Sequence, residues 1–456
     1  MSRTPRLRAA VVGTGHRAQT FTRGLAERPG HLVAALCDPS PTRMAFHNRL
    51  LTAAGQPTAA QWEPERFADL LTKEDIDEVV VTTVDVEHDR YIVPALRAGC
   101  RVVTEKPMTV DADRCSRILD TVRETGNSLT VAFNYRFNPV HERVRALLAE
   151  GAVGEVLSVH FEWLLDVRHG ADYFRRWHRE KRHSGGLMVH KSSHHFDLVN
   201  WWLADEPREV FGYGRLGFYG RAAGERHGLR REYTRAHGAG PAADDPFALD
   251  LSANDTLRAL YLEAERDDGY LRDRNVFDGP VTIEDDMAVL VRYVRGATMT
   301  YHLTAYSPWE GYRVMVNGSA GRLELEVEES RWARPLTPAA SGRGAVHGDT
   351  AAEHAGGARL TLRPLWKPPV GIPLDVDHEA HGGGDPRMLD ALFGPVGRGG
   401  PTRPTADTGA AAHPTATERD GALALVVGLA ANRSFETGTP VRTDALVSGT
   451  ERPAQG

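Results

Sequence analysis

"AAVVGTGHRA", residues 9–18, joins a short apolar run to two glycines and an alanine in G-x-G-x-x-A spacing. Ala9 to Val12 read as a buried strand, and the residues after Gly15 read as the start of a helix. Gly13 permits the tight turn, Gly15 lets the backbone approach a pyrophosphate, and Ala18 allows helix and strand to pack closely, with the helix N-terminus favouring an anion. Asp38 ends the next apolar run, 23 residues after Gly15. From there an acid accepts hydrogen bonds from ribose hydroxyls and repels a 2'-phosphate, which favours NAD. Two simpler readings stand beside this one: a plain glycine turn, and Asp38 as the N-cap of the helix that begins in "PSPTRM". Arg43 keeps NADP open.

Outward from this stretch, the apolar runs "HLVAALCD", "EVVVTTV", "RVVTEK" and "SLTVAF" alternate with segments of helical period such as "CSRILDTVRETG". Buried strands separated by helices predict an α/β Rossmann domain, a doubly wound parallel sheet, over residues 1–135. After "NYRFNP" the pattern changes. "EVLSVHFEW", "MAVLVRYVRG", "ATMTYHLTAY", "YRVMVNGSAG" and "GRLELEVEE" read as long strands joined by turns. They predict a second, α+β domain over 136–456 with a large, mainly antiparallel sheet. Its helix is expected near its opening, where Met188, Phe196, Val199 and Leu203 recur at helical spacing. Residues 219–247 read as a long loop leading into a helical piece, "DTLRALYLEAERDDGYLRD". The Gly-, Ala-, Pro- and Thr-rich stretches 333–358 and 394–417 read as mobile surface loops, and "ALALVVGLAANRSFETG" as a closing helix.

The 456 residues carry 41% hydrophobic and 25% charged side chains and a net charge of -6. That is the composition of a soluble globular chain, and without a concentrated basic surface nucleic acid is excluded as the main partner. No apolar run reaches the length of a membrane span. Cys37, Cys100 and Cys115 show no C-x-x-C spacing, so neither a disulfide framework nor a zinc ribbon is indicated. A cytoplasmic setting and a small-molecule partner are expected.

Two further stretches concentrate chemistry. "RVVTEKPMT", residues 101–109, places Glu105, Lys106 and Pro107 where a buried strand ends, the edge at which ligands of such sheets bind. "GGLMVHKSSHHFDLVNWW", residues 185–202, sets His190, Lys191, His194, His195 and Asp197 among apolar neighbours, as a metal site, a proton-transfer site or a hydrogen-bonded core would. Lys106 could equally be a strand-end lysine reaching solvent.

In order along the chain, "VVGTGHRA", "VVVTTVDVEH", "TEKP", "FNYRFNP", "GGLMVHKSSHHFDLVNWW" and "VNGSAGRLELE" resemble the Gfo/Idh/MocA oxidoreductases, the family of glucose-fructose oxidoreductase and inositol dehydrogenase. The resemblance implies oxidation of a secondary hydroxyl of a sugar, glycoside or cyclitol with NAD. It assigns Gly13, Gly15, His16, Arg17, Ala18, Asp38, Thr83, His88, Glu105 and Lys106 to the cofactor. Lys106 is implied as catalytic base or proton relay and His194 as the motif histidine. Asp197 is implied as the last acid of D-x-G-x-H-x-x-D. The chain departs from that motif at His190, which stands where the family has Asp, and at Lys191-Ser192. His190 is therefore a further catalytic candidate. Arg136, Lys191, Asp197, Tyr135 and Trp309 are expected at the substrate, with Tyr173, Trp177, Tyr312 and Asp285-Asp286 as weaker candidates; Arg136 could instead pair with an acid and serve only the fold. For His195 a buried, hydrogen-bonded role is preferred.

No metal is assigned: His190 and His194 would share a helix face, but only "DHEAHGGGD", through His378, His381 or Asp385, could add a ligand, and that segment reads rather as a glycine-rich loop over the substrate or a polar turn. A homo-oligomer through the C-terminal sheet is expected. Two rivals remain: redox-neutral glycoside cleavage through a transient 3-keto intermediate, and a catalytically silent cofactor-sensing interaction protein.

Overall fold

A computed structural model describes residues 6–333, 356–374, 383–394 and 415–447. The segments 334–355, 375–382 and 395–414 hold most of the two expected surface loops, together with His378 and His381, and these lie outside the described residues.

The chain forms two compact units. The first contains Met1–Phe137, close to the expected boundary at 135/136, but it also takes in Asp255–Tyr270 and Gly384–Ala422. The second contains Asn138–Asn254, Leu271–Gly383 and Leu423–Gly456. Contiguous domains were the expectation; two returns of the chain to the first unit were not legible as periodicity.

In the first unit, strands β1 (Leu7–Val12), β2 (His31–Cys37), β3 (Ala60–Trp62), β4 (Glu78–Val81), β5 (Arg101–Thr104) and β6 (Leu129–Val131) form a parallel sheet in the order β6-β5-β4-β1-β2-β3. The order reverses beside β1, so the carboxyl ends of β1 and β4 flank the crevice where such sheets take ligands. Val11, Val12, Val79, Val80 and Val103 are fully buried because helices cover both faces. The helices are α1 (Ala18–Ala26), α2 (Pro41–Ala53), α3 (Phe67–Lys73), α4 (His88–Arg97) and α5 (Ala112–Thr125). Their ends follow local rules: Ser40 caps α2, Asp111 caps α5, and Gly126 closes α5 in the left-handed region.

The second unit opens with α6 (Pro139–Ala149), β7 (Val156–Asp166) and α7 (Val167–Arg175), followed by α8 (Lys181–Ser184), α9 (Leu187–His190), α10 (Ser193–Leu203), β8 (Pro207–Arg215) and α11 (Arg221–Arg226). After the return α12 (Asp255–Leu257), a π turn (Arg258–Leu262) and α13 (Glu265–Asp268) come β9 (Asp286–Tyr293), β10 (Thr298–Ser307), β11 (Glu310–Gly318), β12 (Gly321–Ser330), β13 (Ala358–Pro364) and β14 (Val370–Ile372). The chain ends with α14 (Gly384–Phe393), β15 (Ala416–Thr417), α15 (Glu418–Thr437) and β16 (Val441–Arg442). β15 adds an antiparallel edge to β6, and the other strands form a nine-stranded sheet, β14-β13-β12-β11-β7-β10-β9-β8-β16. Its one parallel pair is β7 with β10. Alternation in β9, with Met287, Val289, Val291 and Tyr293 buried and Ala288, Leu290 and Arg292 exposed, marks a sheet covered on one face.

Two expectations about helices are corrected. The histidine-rich stretch is not one helix. It breaks at Lys191-Ser192, where the Leu187 carbonyl accepts from both the Lys191 and the Ser192 N–H, so His190 ends α9 and His194 lies on α10. Residues 255–273 are likewise broken into α12, a π turn and α13, and the stretch 219–247, expected as loop, carries α11.

Candidate functional site

The fingerprint loop has the geometry its sequence requires. Gly13 takes φ +81°, and a Cβ there would lie 2.7 Å from the backbone of Thr83, so no other residue fits. Ala18 is fully buried against the sheet. The Thr14 hydroxyl is buried and has no hydrogen-bond partner among the described residues, and a Cβ on Gly15 would meet nothing nearer than 3.8 Å. A donor without a partner and open backbone on the ligand side are what a bound dinucleotide would use, so these residues fit NAD.

Asp38 is 5% exposed and is not a helix cap, a role Ser40 fills. Its carboxylate accepts from the Thr14 N–H at 2.7 Å and the Ser40 N–H at 2.8 Å, and pairs with Arg43 at 3.0 Å. His16 donates its backbone N–H to the Tyr261 hydroxyl at 3.0 Å. Arg17 is held on three sides: Nε donates to Glu105 at 2.5 Å, and its two terminal nitrogens grip Asp385 at 2.7 and 2.9 Å. Burial disfavours its charge, yet Asp385 and Glu105 hold its pKa above the usual arginine value. Asp385, expected over the substrate or as a metal ligand, is thus part of an ion network that also takes Asn134 at 2.9 Å.

At the end of β5, the Lys106–Pro107 bond is cis, and the Lys106 N–H donates to the Glu105 carboxylate at 3.1 Å. Beside it, His88 is fully buried, with Nδ1 2.9 Å from the Pro107 carbonyl and Nε2 3.3 Å from the Thr83 carbonyl. Burial lowers its pKa, against the opposing pull of the Pro107 and Thr83 carbonyls. This geometry makes His88 a brace between the loops after β4 and β5. Tyr135 is buried in the short turn Asn134–Phe137, and Arg136 pairs with Asp420 at 3.4 Å.

In the second unit, His190 is 8% exposed and its ring lies 4.1 Å from that of His178, with Tyr173 at 5.6 Å and Trp177 at 5.8 Å. His194 is 5% and Asp197 1% exposed. His195 stacks on Trp163 at 4.1 Å and its Nδ1 lies 2.6 Å from the Tyr301 hydroxyl, the buried role expected, through a side chain rather than the backbone. Lys191 is buried with its ammonium 4.8 Å from the centre of the Trp163 ring, and burial lowers its pKa. Three weaker candidates make contacts within the fold. Tyr312 stacks on Trp163 and bonds His141, Asp285 accepts three backbone N–H groups from Gly217 to Tyr219, and Asp286 pairs with Arg215 and His302. Trp309 is half-buried at the β10–β11 turn with the Arg313 guanidinium 5.6 Å over its ring.

Sequence reasoning missed a chain of buried polar groups on this unit. Tyr173 bonds His169 Nε2 at 3.0 Å, and His169 Nδ1 lies 2.6 Å from Glu310. No motif spacing links residues 141 positions apart. Burial pushes Glu310 up to about 8, with Asp166 adding to the rise and Lys191 opposing it. Burial and the Lys191 charge push His169 down. An acid whose folded pKa lies above its unfolded value of ~4.3 contributes stability that is complete below that value and lost as pH rises through the folded pKa. Wild-type protein is therefore expected to lose stability relative to Glu310→Gln as pH rises from about 4 to about 8. Urea unfolding of both forms across that range checks this; parallel curves would mean that Glu310 stays ionised throughout.

Comparison with known proteins adds the following. Residues 7–133 match the family described as "Oxidoreductase family, NAD-binding Rossmann fold", and residues 145–443 match "Oxidoreductase family, C-terminal alpha/beta domain". A Bacillus subtilis strain 168 protein described only as an oxidoreductase, YteT, is 32% identical over 383 residues, 82% of this chain and 85% of that protein. Inositol 2-dehydrogenase of Rhizobium meliloti strain 1021 is 35% identical over 136 residues, 30% of this chain and 39% of that enzyme. Among solved structures, levoglucosan dehydrogenase in complex with NADH and L-sorbose shares the fold with TM-score 0.63 at 14% identity, over 96% of this chain and 99% of that one. Among the described residues no helix is long and apolar enough to cross a membrane, and no three His, Cys, Asp or Glu side chains are grouped to hold a metal.

Proposed function

The chain belongs to the Gfo/Idh/MocA family of oxidoreductases, and from that premise we propose that it oxidises a secondary hydroxyl of a sugar, glycoside or cyclitol to the ketone. It is a sugar- or polyol-dehydrogenase-type enzyme with an NAD-binding Rossmann unit. NAD, when bound, accepts the hydrogen that leaves carbon with its electron pair. Gly13 and Gly15 admit the pyrophosphate, the Thr14 hydroxyl donates to it, and Asp38 takes the ribose. Lys106 removes the hydroxyl proton, and the Glu105 carboxylate, tied to Arg17 and to the Lys106 N–H, fixes the turn that carries it. In the second unit the resemblance assigns His194 to the substrate hydroxyl and His190 to the place of the family's carboxylate, with Lys191 and Asp197 as further substrate residues. Tyr135, Arg136 and Trp309 complete the substrate residues of this reading.

The observation that carries it is the coexistence, in one unit, of a glycine turn that only Gly13 can make and a lysine at the end of β5. Relatives named inositol 2-dehydrogenase support a cyclic polyol as substrate class. The test is a screen of sugars, glycosides and cyclitols with the pure protein and NAD, following NADH absorbance and products together. Matching amounts of NADH and keto product are expected. Product without NADH would replace this reading by glycoside cleavage, and neither would leave an interaction protein. The proposal extends to a cytoplasmic homo-oligomer built through the uncovered face of the nine-stranded sheet, where Tyr213 and Leu290 are exposed; the mass of a single chain in solution would remove the oligomer.

A further inference from the structure

The return Asp255–Tyr270 brings side chains to the cofactor unit that no fingerprint includes. Tyr261 seats it against the glycine loop through the His16 N–H at 3.0 Å. Six residues on, Asp267 accepts from the Ser40 hydroxyl at 2.6 Å and from the Thr42 N–H at 3.1 Å. Asp268 grips Arg43, whose guanidinium also lies 3.0 Å from Asp38 and which is only 6% exposed. Burial opposes the charge of Arg43, and Asp38 and Asp268 together hold its pKa above the usual value. Three carboxylates thus converge on the start of α2 with two guanidinium groups, Arg43 between Asp38 and Asp268 and the exposed Arg266 3.7 Å from Asp267, which leaves one negative charge in excess where Asp38 meets the ribose. Arg43 is the cation that kept NADP open in the sequence, and its Nε and one terminal nitrogen are engaged by Asp38 and Asp268.

We propose that Asp267 and Asp268 are specificity determinants for the cofactor, set in place from a distant segment: they withhold Arg43 from a 2'-phosphate and oppose that phosphate with like charge, so the chain selects NAD. This rests on the reading of Gly13–Asp38 as the dinucleotide site. Paired with Asp38 alone, Arg43 could pivot toward a phosphate, as guanidinium and phosphate groups favour. With Asp268 in place that turn breaks a buried ion pair.

The experiment is calorimetric titration of the full-length protein with NAD and NADP, with adenosine 2'-monophosphate and adenosine 5'-monophosphate as fragments. Wild type is expected to bind NAD at least about tenfold more tightly than NADP, since one like charge at close range is worth roughly that factor. Asp268→Asn should tighten NADP about tenfold and leave NAD within about threefold, and the added Asp267→Asn should tighten NADP again. Arg43→Ala in the Asp268→Asn background should remove the gain. Equal changes for NAD and NADP would overturn the proposal and make the pair a structural clamp, as would an unchanged NADP affinity. If Asp268→Asn fails to fold, Asp267→Asn alone, which keeps an acceptor for Ser40, decides by the same criterion. If wild type binds neither dinucleotide, the underlying site reading fails, a result distinct from binding without the shift.

Discussion

Lys106→Ala is expected to lower turnover by about 10²–10⁴-fold while moving NAD affinity less than about threefold, because general-base loss acts on the reacting proton and not on the dinucleotide. The residue sits just past the strand end at Thr104, and its backbone N–H donates to Glu105, a contact that truncating the side chain leaves intact. Lys106→Arg should not restore the rate, since a guanidinium keeps its proton at neutral pH. Steady-state kinetics, with NAD binding measured separately, reads both quantities. Near-normal turnover in Lys106→Ala would make the side chain a strand-end lysine without a part in the chemistry.

Gly13→Ala is expected to abolish measurable NAD binding and to lower the thermal midpoint by several degrees. The added methyl would sit 2.7 Å from the Thr83 Cα and N and 2.8 Å from the Thr82 carbonyl carbon, all backbone of the strand end opposite. Backbone cannot swing aside as a side chain can. A left-handed φ costs a non-glycine residue ~1–2 kcal/mol, and overpacking adds ~1–3 kcal/mol. Gly15→Ala is the contrast: its methyl would meet only the Tyr261 hydroxyl at 3.8 Å, so the fold should hold while the pyrophosphate is crowded. Thermal melts and NAD titration of both variants separate the two cases. A Gly13→Ala protein with wild-type melting and binding would place the loop elsewhere than this geometry has it.

Much of the site was legible because its chemistry is local. The glycine turn, the strand-end E-K-P and the histidine stretch each span a few residues, and each needs its residue types in that order. His195 was readable as core for the same reason, as one polar group among Phe196, Leu198 and Val199. The triad Tyr173, His169 and Glu310 was not, because its members lie on α7 and β11 and meet only through the sheet. Spacing also misled: His190 and His194 are four apart, yet they lie on separate helices, since the break at Lys191-Ser192 follows from burial of Lys191 on Trp163 and pairing of Ser192 with Tyr301.

By itself the sequence determined the two kinds of sheet and the class of cofactor. Apolar runs buried on both faces specify parallel strands, alternating ones specify a half-covered sheet, and a turn with φ +81° against a neighbouring strand admits glycine alone. Only the tertiary structure decided which charges act on which. Arg17 reads as a fingerprint residue, but Glu105 and Asp385 hold it, and Arg43 reads as a phosphate cation, but Asp268 holds it from 225 residues away. Hydrophobic periodicity is a property of neighbours in the chain, whereas an ion pair is a property of neighbours in space; the return of Asp255–Tyr270 to the first unit made the two differ.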